Sequence, residues 1–254
     1  MLILLSPAKR LDFTEPSPDT PATQRRFVED TATLSKTARN QTQAQLRALM
    51  GISADLAKLN QERFKAFDPE ALDTGVQAAL AFAGDVYQGL DARTLDKQGL
   101  AFAQDHVRIL SGFYGLLRPL DRIQPYRLEM GIRLKTRRGE SLYDFWGDRI
   151  AKMIKADLAD SAHPVVVNLA SQEYFGAVDK KALKTPIITP NFYEGVGEKR
   201  KIVSFFAKKA RGTMTRFAID ERIDNPEDLK RFDRDGYRLD KTASTDTDWI
   251  FTRE

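Results

Sequence analysis

Two short runs constrain this chain more than anything else in it. Residues 2–5 read LILL and residues 164–169 read PVVVNL. Neither alternates apolar with polar, so a strand made from either must be covered on both faces. The consecutive valines favour strand over helix, because a β-branched side chain packs well on a pleated surface. Ile187 and Ile188 read as a further strand and residues 202–206 as another, with Gly195 and Gly197 in the turn between them.

The rest of the pattern is helical. Gly51 ends one helix and Ser53 caps the next, which carries Leu56, Leu59, Phe64 and Phe67. Leu100, Ala103, Val107 and Leu110 form another helical stripe. Ser141 caps a helix with Leu142, Phe145, Trp146, Ile150, Met153, Ile154 and Leu158 along one side. Ala210, Met214, Phe217 and Ala218 suit a helix packed on the sheet, and Asn225 before Pro226 reads as a cap with proline at the first helical position. Residues 14–23, with Pro16, Pro18 and Pro21, read as an extended loop. There is no repeat and no linker rich in Gly or Ser. The expected fold is α/β in the mixed α+β sense: a single domain over 1–254 with a central mixed sheet surrounded by helices.

The absence of cysteine excludes disulfides, thiolate catalysis and zinc ribbons. The two histidines, His106 and His163, are too far apart in sequence to form a local metal pair. No metal or cofactor is expected. The run at 2–5 is too short for a signal-peptide core, and no stretch is long enough to cross a bilayer, so the reading is a cytoplasmic protein with no membrane partner and a monomer as the expected state.

Charge is unevenly spread. The formal net charge is only +4, yet residues 108–138 hold eight basic side chains against two acidic ones, and residues 199–216 hold seven against none. Segregation of this kind points to an anionic partner. Four segments are candidates for holding it. The first is Ser6-Pro-Ala-Lys9-Arg10, directly after the opening strand, where open sheets gather ligands.

The second is RILSGFYGLLRPLDRIQPYRLEMG at 108–131. Its Gly112, Tyr114 and Gly115 lie in a glycine-bearing turn with the layout of a helix-hairpin-helix, although Pro119 cuts the second helix short. A turn merely packed between helices is the competing reading. Arg118, Arg122 and Arg127, interleaved with prolines, suit bidentate phosphate contacts, with one or two expected to pair internally with Asp121 or Glu129.

The third is Lys208-Lys209-Ala-Arg211-Gly212, read as the start of a helix, where cations make sense if an anion shares the free N–H groups and Gly212 allows close backbone approach. The fourth is Asn168-Leu-Ala-Ser171-Gln-Glu173. It reads either as part of a candidate polar pocket with Ser6 and Asp85 or as a helix cap at Ser171. No catalytic residue is identified, because a nucleophilic serine needs a base and neither histidine is near.

Together these segments resemble the YaaA family of bacterial peroxide-stress-resistance proteins. The resemblance rests on LILLSPAK, FAGDVYQGL from Phe82, the whole of 108–131, LYDFWGDRI, VNLASQEYFGAV and SFFAKKARGTMTRFAI, and it runs through to FDRDGYRLD and WIF near the end. It implies hydrogen peroxide resistance, limitation of free iron, and DNA binding through a basic cleft that includes a helix-hairpin-helix. Carried over, it makes Lys9, Arg118, Arg122, Arg127, Lys208, Lys209 and Arg211 backbone contacts, with the 112–115 turn as the hairpin. The alternative is an enzyme acting on a nucleotide, nucleobase or other phosphorylated small molecule. An open basic groove of duplex width favours DNA, and a deep, closed pocket favours the enzyme.

Overall fold

The computed structural model describes residues 1–14 and 19–254, so Pro16 and Pro18 of the expected loop lie outside the described residues. The strands are β1 (Leu2–Leu5), β2 (Val76–Gln77), β3 (Val107–Ser111), β4 (Gly115–Leu117), β5 (Arg122–Ile123), β6 (Val166–Asn168), β7 (Ile187–Glu194), β8 (Arg238–Leu239) and β9 (Asp248–Arg253). Seven of them make one mixed sheet in the order β4-β3-β1-β6-β7-β9-β8, and β2 with β5 makes a small ribbon. All four residues of β1 are buried, as its apolar run requires.

The sheet is parallel from β3 through β9, and β4 and β8 run antiparallel at its two edges. From β1 the chain crosses to β3 on one side and later returns to β6 on the other. The direction of winding therefore reverses between β1 and β6. In open sheets, ligands bind beyond the carboxyl ends of the strands at such a reversal. Ser6 and Ser171 stand at that place.

One structural requirement sets the crossing of two helices beside it. The helix Asp85–Leu90 carries Gly89 and the helix Ser204–Asp220 carries Gly212. A Cβ on Gly212 would lie 1.8 Å from the Val86 carbonyl oxygen, and one on Gly89 would lie 2.2 Å from that of Lys209. The two backbones touch, and only glycine permits that. The close approach inferred for Gly212 thus exists, but toward another helix.

Several expectations are corrected. Residues 112–115 form no helix-hairpin-helix: the helix Lys97–His106 ends before them, and β3 turns back into β4 as a β-hairpin, Ser111 facing Gly115. Val107 and Leu110 fit a strand buried on both faces as readily as a helical stripe, which is why periodicity misled. Residues 202–206 do not make a strand. The helix begins at Ser204, and Ile202, Phe205 and Phe206 are exposed. The helix expected after Ser141 is two, Leu142–Trp146 and Arg149–Asp157, broken where Gly147 takes a φ of 50°. Leu56 and Leu59 face solvent, while Ala57, Asn60 and Phe64 of the same helix are buried.

Candidate functional site

A cavity of about 420 Å³ opens beyond the carboxyl ends of β1 and β6. The loop after β1 supplies Ser6, Lys9 and Arg10, and the helix Asp85–Leu90 supplies Asp85 and Tyr87. The segment after β6 supplies Ser171, Glu173 and Tyr174, and the helix Ser204–Asp220 supplies Lys208 and Arg211. Glu129 completes the wall. Seven residues singled out in separate parts of the sequence thus meet here: Ser6, Lys9, Asp85, Ser171, Glu173, Lys208 and Arg211.

Local chemistry holds the frame. The Ser171 hydroxyl caps its helix by accepting from the Tyr174 N–H, so the capping expectation and the pocket expectation are met by one residue. Ser6 Oγ accepts the Ser171 N–H at 2.9 Å and donates to Ser171 Oγ at 3.3 Å, tying the two loops together. Tyr87 donates its hydroxyl to the Ser6 carbonyl at 3.0 Å, and burial pushes that phenol well above its ordinary pKa. Glu173 accepts the Gly131 N–H at 2.9 Å. These are fixed polar groups rather than a nucleophile and its base. His106 bonds the Met1 carbonyl and His163 precedes β6, so both histidines lie at the amino ends of the strands, opposite the pocket.

Arg211 differs from every other arginine named in the sequence. Burial lowers its pKa, and no acidic group acts against that shift. Its Nε is buried without a hydrogen-bond partner, and its guanidinium makes no ion pair among the described residues. Lys208, one turn before it, makes none either. Both lie within the helix rather than at its first turn, so side-chain charge and not free N–H groups would hold an anion.

The other predicted contacts sit elsewhere. Lys209 points away from the cavity and pairs with Asp235 at 3.5 Å. Arg118 is clamped by Asp121 at 2.9 Å, with a further bond to the Gln24 carbonyl. Arg127 is held by Glu129 at 3.0 Å, and Arg122 donates to the Gly75 carbonyl at 2.7 Å. Asn168 is spent on the Ala170 N–H. Gly112, Tyr114 and Gly115 belong to the core. Ser111 Oγ takes the N–H groups of Phe113 and Tyr114, the Trp146 indole donates to the Gly112 carbonyl, and Tyr114 is 1% exposed. The Phe113 and Tyr114 N–H groups of that turn are thus already taken. Tyr174 and Glu129 reach the pocket with little warning from sequence. Tyr174 follows the cap at Ser171, and Glu129 was legible only as an arginine's counter-ion.

Among the described residues, no group of three His, Asp or Glu side chains is placed to hold a metal ion, and no helix is long and apolar enough to cross a membrane. Comparison with known proteins adds an independent line. Residues 1–243 match the family described as peroxide stress protein YaaA. A UPF0246 protein of Caulobacter vibrioides is 56% identical over 253 residues, covering 100% of this chain and 99% of its own length. Counterparts from Caulobacter sp. strain K31 and Phenylobacterium zucineum are 57% and 55% identical, covering 100% of this chain and 99% and 95% of their own lengths.

Proposed function

The chain belongs to the peroxide stress protein YaaA family, and from that premise we propose that it serves peroxide defence by binding a nucleotide-sized phosphorylated group in the pocket between β1 and β6. The observation that carries this reading is Arg211. A half-buried guanidinium with its Nε buried and no counter-ion among the described residues carries a desolvation cost that no ion pair there returns. Such a group makes sense where a ligand brings the anion. Lys208 adjoins it, and a volume of about 420 Å³ suits a small-molecule site, for which roughly 300–1,000 Å³ is usual. The strand reversal supplies the place, and the serine loops supply a rigid floor.

A second reading, contact with the backbone of DNA, is favoured by the exposed cations at the rim. Lys9 has 70% of its side chain exposed, and Arg10 and Lys208 are exposed as well. In that case one nucleotide of a strand occupies the pocket while neighbouring phosphates meet the rim. Arg118, Arg122 and Arg127 take no part in either reading, since each is already held inside the protein.

The test is a binding series with fluorescent nucleoside monophosphates and with duplex, mismatched and single-stranded DNA, across salt, using the wild-type chain and Arg211→Met. Charged hydrogen bonds contribute about 1.5–3 kcal/mol each, so Arg211→Met should weaken nucleotide binding by roughly 10- to 100-fold. DNA binding, if it dominates, should fall steeply with salt. It should also weaken more in Lys9→Ala/Lys208→Ala than nucleotide binding does. Nucleotide and DNA affinities that ignore Arg211 would overturn the pocket assignment.

A further inference from the structure

We infer that the pocket continues into a second chamber that takes the base of the bound nucleotide and selects bases carrying an amino group; this rests on the nucleotide reading above. The second chamber, a hollow of about 470 Å³ open to solvent, adjoins the first and shares Lys9, Glu129 and Glu173 with it. It is lined further by Leu49 and Met50, at the end of the helix Gln43–Met50, and by Ile132 and Arg133.

The two chambers are chemically unlike. The cations that suit a phosphate, Lys208 and Arg211, line only the first. The second brings Leu49, Met50 and Ile132 together with the carboxylates of Glu129 and Glu173, and its cations are Lys9 and Arg133. A nucleobase has that same division, with two apolar faces and a polar edge. Carboxylates accept hydrogen bonds and do not donate them, so the edge they favour carries N–H groups rather than carbonyl oxygens. A glutamate reading the amino group of cytosine is the same chemistry in nucleic-acid recognition.

One carboxylate is positioned for this. Glu173 has one oxygen fixed by the Gly131 N–H at 2.9 Å, which leaves its other oxygen for a ligand. Glu129 has one oxygen held by Arg127 at 3.0 Å, with Lys9 at 3.6 Å, and its other oxygen is buried, so the reading of the base falls to Glu173. The apolar wall is equally fixed. Thr42 and Gln45 form a reciprocal cap at the start of the helix Gln43–Met50, and Gly51 closes its end in the left-handed conformation. The long, exposed Lys9 lines both chambers.

The experiment measures binding of ribose 5-phosphate and of two matched pairs, adenosine against inosine monophosphate and cytidine against uridine monophosphate. The members of each pair exchange an amino group for an oxo group at nearly constant size and move the N–H of that edge to the neighbouring ring nitrogen, so the preference reports a carboxylate set opposite the exocyclic group. The amino members should bind about tenfold or more tighter than their oxo partners, and Glu173→Gln should erase that preference. Met50→Trp, which fills the chamber from a half-buried position, should reduce the nucleotides to the affinity of ribose 5-phosphate and leave ribose 5-phosphate itself unchanged. Should the nucleotides bind no tighter than ribose 5-phosphate while that binding still needs Arg211, the second chamber is refuted and the phosphate pocket stands. Should ribose 5-phosphate binding ignore Arg211, both fail. The paired ligands need no variant, so a misfolded Met50→Trp would not spare the inference.

Discussion

The two basic stretches of this chain look alike in composition and behave as opposites in the fold. In 108–138 five of the seven arginines are consumed internally: Arg108 by Asp157, Arg118 by Asp121, Arg122 by the Gly75 carbonyl, Arg127 by Glu129 and Arg138 by Asp30, while Arg133 and Arg137 make no ion pair among the described residues. On the helix Ser204–Asp220, Lys208 and Arg211 reach the cavity with no acidic partner among the described residues, while Lys209 and Arg216 on other faces are paired with Asp235 and Asp220. A count of cations in sequence therefore measures potential for binding only after the internal partners are subtracted. Those partners come from anywhere in the chain.

The sharpest way to break the comparison is to remove the partner that locks the first stretch. Asp121 is fully buried and accepts from the Thr23 hydroxyl, the Arg118 N–H and the Arg118 guanidinium. Breaking a buried pair by deleting one partner costs about 3–5 kcal/mol. Asp121→Ala should lose that much in urea unfolding. If the stability of Asp121→Ala equals that of the wild type, the arginines of this stretch are not structural and their exclusion from binding must be withdrawn.

Next in size is the contact that sets the second stretch beside the pocket. With a Cβ at Gly212 placed 1.8 Å from the Val86 oxygen, Gly212→Ala must push the two helices apart. Overpacking of this kind costs typically 1–3 kcal/mol. Because Arg211 and Asp85 sit on those two helices, ligand affinity should fall along with the melting temperature. A variant that melts lower yet binds as before would show that the pocket does not depend on the crossing.

Acid should loosen the first stretch selectively. Burial alone raises the pKa of the Asp157 carboxyl, but the hydrogen bond from Arg26 and the charge and hydrogen bond of Arg108 outweigh it and hold the group below its ordinary value. A carboxylate depressed in the folded state binds its proton more readily when unfolded. Its contribution is thus complete above the ordinary carboxylate value and is lost as pH falls through the folded one. Unfolding free energy measured from pH 6 down to 2 should decline at the acid end, and Asp157→Asn should start lower and decline less. Equal slopes in the two proteins would assign the acid sensitivity elsewhere.

Much of the frame was readable in advance because it depends on local pattern. The apolar runs at 2–5 and 164–169 became β1 and β6, Gly51 and Ser53 became caps, and Ser171 became a cap at the pocket floor. What failed was set by distant contacts. The turn at 112–115 carries the glycines of an exposed hairpin, but Trp146 packs against Gly115 and the Leu128 backbone against Gly112, and those approaches demand the same glycines. Residues 202–206 have the composition of a strand, yet they include the first turn of a helix whose outer face stays in solvent. At the site, Ser6, Lys9, Lys208 and Arg211 were legible as residue types suited to anions. That they converge, and that Arg118, Arg122 and Arg127 do not join them, follows from the sheet order and from carboxylates far away in sequence.

The remaining test separates a charge that holds the fold from one held in reserve. An arginine locked in a pair stabilises the folded state through contacts that its removal leaves broken, so Arg118→Met should destabilise by orphaning the buried Asp121. Among the described residues Arg211 has no such contact to lose. Replacing its guanidinium by the similarly long, apolar methionine side chain removes a desolvation cost and keeps most of the packing. Arg211→Met should therefore match or slightly exceed the wild type in urea unfolding, within about 1 kcal/mol, while it loses nucleotide affinity. If it instead unfolds as easily as Arg118→Met, Arg211 is one more structural arginine and the contrast between the two basic stretches disappears.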